Sequence, residues 1–256
     1  MRKPSLAEIR EILRSIALKY PGELVPGQLR DVDRVAYHIN LVVERKGVQI
    51  SICDLGGGIG LFSVGCAALG MRSTLIDDFA DDVNRQFGDS VLEVHRAHGV
   101  QVLQRDPVAQ GIDFAPGSLG AATSFDAMEH FHHSPKALFA AVSQTLEPGG
   151  LFVLGVPNCV NLRKRISVPF GYGKWSSIED WYESDRFRGH VREPDVADLR
   201  YIARDMGMSD AEIVGRNWVG YFSDSAMVRW ATRASDHLLR LHPPLCSDIY
   251  LLARKP

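Results

Sequence analysis

Gln49-Ile50-Ser51-Ile52-Cys53-Asp54-Leu55-Gly56-Gly57-Gly58-Ile59-Gly60 reads as a β-strand that ends on an acid and breaks into a glycine turn, with glycine at 56, 58 and 60. An apolar stretch with helical spacing follows from Leu61 to Leu69, so the segment is strand, turn, helix. A turn this tight lets a ligand lie almost against the main chain, because glycine has no Cβ and adopts positive φ. The segment therefore points to a cofactor. Two other readings compete with an adenosyl site: a dinucleotide turn, and a glycine turn with no ligand at all. The dinucleotide pattern G-x-G-x-x-G needs a third small residue for close helix–strand packing. Counted from Gly56 that slot is Leu61, and from Gly58 it is Ser63, so the fit is loose.

Further landmarks extend the pattern. Arg72-Ser73-Thr74-Leu75-Ile76-Asp77-Asp78 is a second short β-like run ending in two acids, with Asp77 lying 21 residues beyond Gly56. An acid at that spacing is placed to accept hydrogen bonds from two ribose hydroxyls, which adenosyl cofactors and NAD both present. Asp78 is expected to N-cap the following helix; the alternative is that either acid is only a cap. Val100 to Asp106 makes a third strand ending in an acid. Leu119 to Asp126 makes a fourth, running into Ala127-Met128-Glu129-His130-Phe131-His132-His133. Ser134-Pro135 has the order of an N-cap and first helical residue, and Leu138, Phe139, Val142 and Leu146 recur on one face. Glu147-Pro148-Gly149-Gly150 breaks that helix, and Leu151 to Asn158 is an apolar fifth strand.

The D-x-G-x-G-x-G run from Asp54 to Gly60 resembles motif I of the class I S-adenosylmethionine-dependent methyltransferases. The block FDAMEH at 125–130 with LEPGGLFVLGVPN at 146–158 resembles the later motifs of the same family. The resemblance implies an α/β, Rossmann-like fold, a seven-stranded mostly parallel sheet with helices on both faces. It implies S-adenosyl-L-methionine as cofactor, held by Gly56, Gly58 and Gly60, with Phe125 beside it. Asp54 would face the amino-acid end of the cofactor through water, Asp77 the ribose, and Asp106 the adenine N6 amino group.

Composition removes several other classes. With 256 residues, 45% hydrophobic and 23% charged, the chain can bury one large core. A net charge of −2 provides no broad basic surface for a nucleic-acid backbone, and no Asn/Asp-Pro-Pro-aromatic motif follows the fourth strand, so nucleic acid is not expected as a partner. No signal-peptide core and no long apolar span is visible, so no transmembrane segment is expected. The four cysteines, at 53, 66, 159 and 246, show no C-x-x-C pairing; Cys53 and Cys66 fall inside core elements. A reduced, cytoplasmic chain is expected, with no signal for its oligomeric state.

Outside the nucleotide half, residues 1–48 are expected to form a helical lid, 49–158 the cofactor-binding core, 159–193 a substrate-side insertion, and 194–256 the rest of the core. Ser5-Leu6-Ala7-Glu8 is a capping box opening a helix whose Leu6, Ile9, Leu13, Ile16 and Ala17 share a face. A second helix, about 28 to 46, carries Leu29, Val32, Val35, Ala36, Ile39, Val42 and Val43. These two are expected across the open edge of the sheet at the cofactor mouth. A helix near 195–206 stopped by Gly207, a strand near 211–216 and a closing strand at 248–253 complete the core.

The chemistry expected is methyl transfer to a small-molecule acceptor, most plausibly a hydroxyl of a sugar, glycolipid or related anionic metabolite. The alternatives are a nicotinamide-dependent oxidoreductase and a catalytically silent cofactor-binding module. A hydroxyl acceptor calls for a general base, and Glu129, His130 and His133 supply it, with His132 behind them; the other reading has these residues packing beside the cofactor. In the insertion, Arg163, Arg165 and Arg188 suit an anionic group, and Trp181 or Tyr182 a ring, with His190 close by. A solvated surface is the alternative for that charge run. The histidines lack metal-ligand spacing with partners, so no metal is expected.

Overall fold

The computed structural model describes residues 2–173, 176–185 and 187–256. Its frame is one seven-stranded sheet: β1 (Ser51–Leu55), β2 (Arg72–Asp77), β3 (Gln101–Gln104), β4 (Leu119–Phe125), β5 (Leu146–Pro157), β6 (Ser209–Arg216) and β7 (Asp248–Arg254). The order across the sheet is β3-β2-β1-β4-β5-β7-β6. β1 to β5 pair in parallel, and β7 runs antiparallel to both β5 and β6. A parallel strand covered by helices on both faces reads as a continuous apolar run, and β4 and the second half of β5 are buried throughout for that reason.

The helices are α1 (Leu6–Ala17), α2 (Val25–Lys46), α3 (Leu61–Ala68), α4 (Asp82–Ala97), α5 (Pro107–Gln110), α6 (Lys136–Thr145), α7 (Leu162–Ser167), α8 (Ile178–Tyr182), α9 (Val196–Asp205), α10 (Trp218–Tyr221) and α11 (Ala226–Leu239). The expected capping box is present: Glu8 N donates to Ser5 Oγ at 3.3 Å and Ser5 N to Glu8 Oε2 at 2.7 Å. Ile9, Leu13 and Ile16 of α1 and Val32, Ala36, Ile39, Val42 and Val43 of α2 are buried in the same apolar cluster as α3. Burial of each such side chain contributes about 1.5–3 kcal/mol. The first two helices are thus a layer of the core, and α2 also lends Asp31, Arg34, Val35 and His38 to the wall of the main cavity. Leu29, expected on the buried face of α2, is 39% exposed.

Three local expectations are corrected. Asp78 does not cap α4, which starts at Asp82; its Oδ1 instead accepts from Ala80 N at 2.9 Å in a turn. In α6 the N-cap is Pro135, with no side-chain cap, and Ser134 Oγ meets Lys136 N at only 3.4 Å. Glu147 to Gly150 do not precede β5 but interrupt it. Leu119 pairs with Leu146 and Ala121 with Leu151, so the intervening residues bulge out. A Cβ at Gly150 would stand 2.7 Å from Glu147 O, which is why the bulge ends on glycine.

Candidate active site

The glycine turn sits at the carboxyl end of β1. Strand order reverses between β1 and β4, the position where open α/β sheets leave a crevice for ligands. A cavity of about 480 Å³ lies there, bordered by Gly56 to Gly58, Gly60, Asp77 and Asp106. Phe125, Asp126, His130, His132, His133 and Arg188 border it too. Gly56 and Gly58 adopt φ of +72° and +54°, the left-handed region that other residues enter at a cost. Gly60 does not; its φ is −73° and it caps α3. Gly57, which the spaced-glycine pattern passes over, is more tightly enclosed than Gly56 or Gly60. A Cβ there would stand 2.1 Å from Asp54 Oδ2 and 2.9 Å from Leu75 Cδ1.

Asp54, expected to face the amino-acid end of the cofactor through water, lines the cavity from within the core. It is buried, Ser63 Oγ donates to its Oδ2 at 2.7 Å, and Thr123 Oγ1 donates to its Oδ1 at 3.2 Å. Its carboxyl borders the cavity while tying β1 to α3 and β4. Burial pushes its pKa up to about 6, against the pull of those two hydroxyls. Asp77, at the end of β2, accepts from Gly58 N at 2.9 Å through Oδ2 and from Phe79 N at 2.7 Å through Oδ1. It thereby ties the second strand to the glycine turn. Burial raises its pKa to about 6 as well, partly offset by the two N–H donors. Asp106 caps α5, its Oδ1 accepting from Val108 N at 2.8 Å and Ala109 N at 3.1 Å. It still borders the cavity.

After β4 the chain turns through Asp126, at φ +50°, into a 3₁₀ turn over Met128–His130. Glu129 is 1% exposed and its Oε2 has no hydrogen-bond partner among the described residues. Burial, with the Asp126 carboxylate beside it, pushes its pKa up to about 8. The last part of the insertion packs along this turn. Val191 N and Arg192 N donate to Glu129 O at 2.7 and 3.2 Å, His130 Nδ1 lies 2.9 Å from Arg188 O, and His132 Nε2 lies 3.2 Å from Phe187 O. His133 is exposed on the cavity wall.

The substrate-side expectations divide. Arg188 borders the cavity and donates to Ala80 O at 2.9 Å. His190 pairs with Glu193 at 2.7 Å and stacks edge-on to His130, ring centroids 4.9 Å apart. Arg163 and Arg165 lie exposed on α7, Arg165 Nε donating to Val160 O at 2.6 Å, and Trp181 and Tyr182 are exposed on α8. These four do not border the cavity. The structure also departs from the expectation of no metal-ligand grouping. One ligand atom each from Glu129, His130 and His190 lie within 4.8 Å of one another. Sixty positions separate the two histidines, so no local spacing could reveal the grouping.

Sequence reading missed the inner wall. His38 is buried, stacks on Phe125 with centroids 4.1 Å apart, and its Nε2 lies 3.0 Å from Tyr250 Oη; burial depresses its pKa, so it is neutral. Tyr250 Oη in turn accepts from Trp218 Nε1 at 2.9 Å. A Cβ at Gly155 would strike both Phe125 and Tyr250 at 2.7 Å, so this glycine makes room for the pair. Arg34 bridges Asp31 and Asp126 below the same wall. The one available signal was His38 and Arg34 standing on α2 among apolar residues, which by itself names no ligand.

Fold, switch-point cavity and glycine cradle together define a Rossmann-like enzyme of the adenosyl-cofactor class. Comparison with known proteins agrees. A family model described as a methyltransferase domain matches residues 29–212. Among solved structures, a SAM-dependent methyltransferase from Archaeoglobus fulgidus superposes with a TM-score of 0.56 at 16% identity, covering 88% of this chain and 94% of its own. Phosphoethanolamine N-methyltransferase 2 of Haemonchus contortus, solved with S-adenosyl-L-methionine, gives 0.54 at 18% identity, covering 98% of this chain and 57% of its own. Geranyl diphosphate C-methyltransferase from Streptomyces coelicolor A3(2) gives 0.56 at 16%, covering 90% and 82%. No curated protein matches by sequence. The chain belongs to the methyltransferase-domain family and is an S-adenosylmethionine-dependent methyltransferase. The oxidoreductase alternative falls with that assignment.

Proposed function

We propose that this enzyme methylates a hydroxyl group of a sugar, glycolipid or related anionic small molecule. The observation that carries the proposal is that His130, His132, His133 and Arg188 line the same cavity as the glycine turn. An alcohol must lose a proton as it becomes an ether. A wall with imidazoles suits that need, and a wall with a guanidinium suits an anionic substituent. The insertion adds exposed Phe170, Tyr172, Ile178, Trp181 and Tyr182, a surface suited to an apolar or sugar portion of the acceptor. Arg163 and Arg165 stand on the same segment.

In this reading Gly56 to Gly58 let the cofactor approach the main chain, Asp77 accepts from the ribose hydroxyls, and Asp106 faces the adenine end. Asp54 holds the cradle's shape from behind. Bound S-adenosylmethionine supplies a methyl group already activated by the sulfonium. The chain's own residues align the acceptor, exclude water and take up a proton. Alignment of this kind is worth on the order of 7–11 kcal/mol, whereas a general base adds about 10²–10⁴-fold. Positioning by His38, Phe125 and Arg34 therefore outweighs the identity of the base. Neutral His130, its pKa depressed by burial, and His133 are the proton acceptors of choice. Among the described residues no helix is long and apolar enough to cross a membrane. All four cysteines are free thiols, which fits a reduced cytoplasmic setting.

The test is a methyl-transfer screen with isotopically labelled cofactor over sugar nucleotides, lipid extracts and phenolics, read by mass spectrometry. A labelled O-methyl product from an anionic or glycosylated acceptor is expected. Transfer only to amines or to carbon would overturn the hydroxyl assignment.

A further inference from the structure

We propose that Glu129, His130 and His190 form a site for one divalent transition-metal ion, of the Mn²⁺, Fe²⁺, Co²⁺ or Zn²⁺ class, at the edge of the cavity. Their ligand atoms lie within 4.8 Å of one another. Two ligands on one such ion stand no more than about 4 Å apart, given metal–ligand distances near 2.0–2.2 Å. The grouping needs a contraction of about 1 Å, which the exposed ring of His130 can supply by a small rotation.

Four features distinguish this grouping from a chance cluster. Glu129 is 1% exposed, and its Oε2 is buried without a hydrogen-bond partner among the described residues. A buried carboxylate oxygen left unpaired is costly, and a cation is one remedy. Each histidine has its Nδ1 engaged elsewhere, His130 with Arg188 O at 2.9 Å and His190 with Glu193 Oε1 at 2.7 Å. A neutral imidazole that donates from Nδ1 keeps its lone pair on Nε2, the arrangement in which metal-binding histidines are held. Glu193 is itself anchored by Lys164, so His190 is oriented by a fixed carboxylate. Finally, the two ligand-bearing segments are clasped by the bonds from Val191 N and Arg192 N to Glu129 O.

Two imidazoles and one carboxylate suit borderline divalent ions better than Mg²⁺ or Ca²⁺, which favour all-oxygen sets. Three protein ligands leave coordination positions open, and His130 places the site on the cavity wall. On the hydroxyl-acceptor reading above, on which this role rests, an open position takes the acceptor hydroxyl. An ion there lowers the hydroxyl's pKa; His130 is then a ligand rather than the base, and the proton passes to His133 or to solvent.

The experiment uses the full chain, stripped with chelator and dialysed, then titrated calorimetrically with Mn²⁺ and with Zn²⁺ in the absence of cofactor and acceptor. One ion per chain is expected. Glu129→Gln and His190→Gln should each weaken binding at least about 100-fold, and Glu193→Gln about 10–100-fold through loss of the orienting carboxylate. His132→Ala, on the same wall but outside the grouping, should bind the ion as the parent does. Circular dichroism and S-adenosylmethionine affinity establish that each variant is folded. Should Glu129→Gln unfold, His130→Ala decides, because that side chain is exposed and its loss opens no core cavity. Absence of stoichiometric binding in a folded, cofactor-binding chain overturns the proposal, as does equal binding in the ligand variants. Because the ion is read on the chain alone, failure here leaves the acceptor reading standing. A screen that returns no methylated hydroxyl leaves the measured ion stoichiometry standing.

Discussion

Asp77 joins two parts of the chain that sequence shows only separately. Its carboxylate accepts from the main chain of the glycine turn and from Phe79, so the side chain proposed to face the ribose also sets the shape of the cradle. Its pKa of about 6 gives a pH dependence whose sign is fixed. Ribose hydroxyls donate to the ionised form, so cofactor binding should be strongest above pH 6. It should weaken as pH falls through 6, by up to about tenfold per unit below the pKa. Calorimetric titration from pH 5 to 8 checks this, with Asp77→Asn as the control. Asp54 titrates in the same range but is still present in that variant. A flat profile in Asp77→Asn assigns the effect to Asp77, and an unchanged slope assigns it elsewhere. The acids at 54, 77 and 106 were legible in the sequence because each ends a strand-like run. Their hydrogen bonds were not. Asp54's partners Ser63 and Thr123 come from a helix and another strand, and only folding brings them together. The enclosure of Gly57 by the same Asp54 was hidden for the same reason.

Among the elements, α1, α2 and α3 interlock around a missing side chain. A Cβ at Gly65 of α3 would come within 2.6 Å of Leu13 Cδ2 and 2.7 Å of Ile39 Cδ1, so both side chains occupy the space that glycine leaves. Leu13→Ala should cost about 2–5 kcal/mol and Gly65→Ala about 1–3 kcal/mol by crowding. In the double variant the alanine methyl at 65 enters space vacated by Leu13, so the loss should be smaller than the sum. Denaturant unfolding of the four proteins measures the coupling; strict additivity would show that the two positions do not share space. The strands were readable because parallel strands buried on both faces leave continuous apolar runs. α11 was not read, because its apolar side chains are not its anchor: Met227, Trp230 and Leu238 are exposed. What anchors it is the buried Asp236, which accepts from Asn217 Nδ2 at 2.8 Å and Tyr221 Oη at 3.0 Å and pairs with Arg240 at 3.1 Å.

At the scale of the whole molecule, strand order concentrates the chemistry. The reversal between β1 and β4 puts the glycine turn, the end of β2 and the histidine-rich turn after β4 around one cavity, and the insertion closes its far side through Arg188. The class of fold could be anticipated from the order of the landmarks. The way the insertion packs along the β4 turn could not, since it depends on backbone contacts between residues about sixty positions apart. The central claim is that this cavity binds S-adenosylmethionine through the glycine turn and Asp77. Isothermal titration of the wild-type chain and of Asp77→Ala with S-adenosylmethionine, S-adenosylhomocysteine and NADH tests it most directly. The wild type should bind both adenosyl compounds at one per chain and NADH not at all. Asp77→Ala, still folded, should bind them more weakly by about 1.5–3 kcal/mol, the scale of hydrogen bonds to a charged group. Equal affinity in the folded variant, or binding of NADH in place of S-adenosylmethionine, would contradict the account.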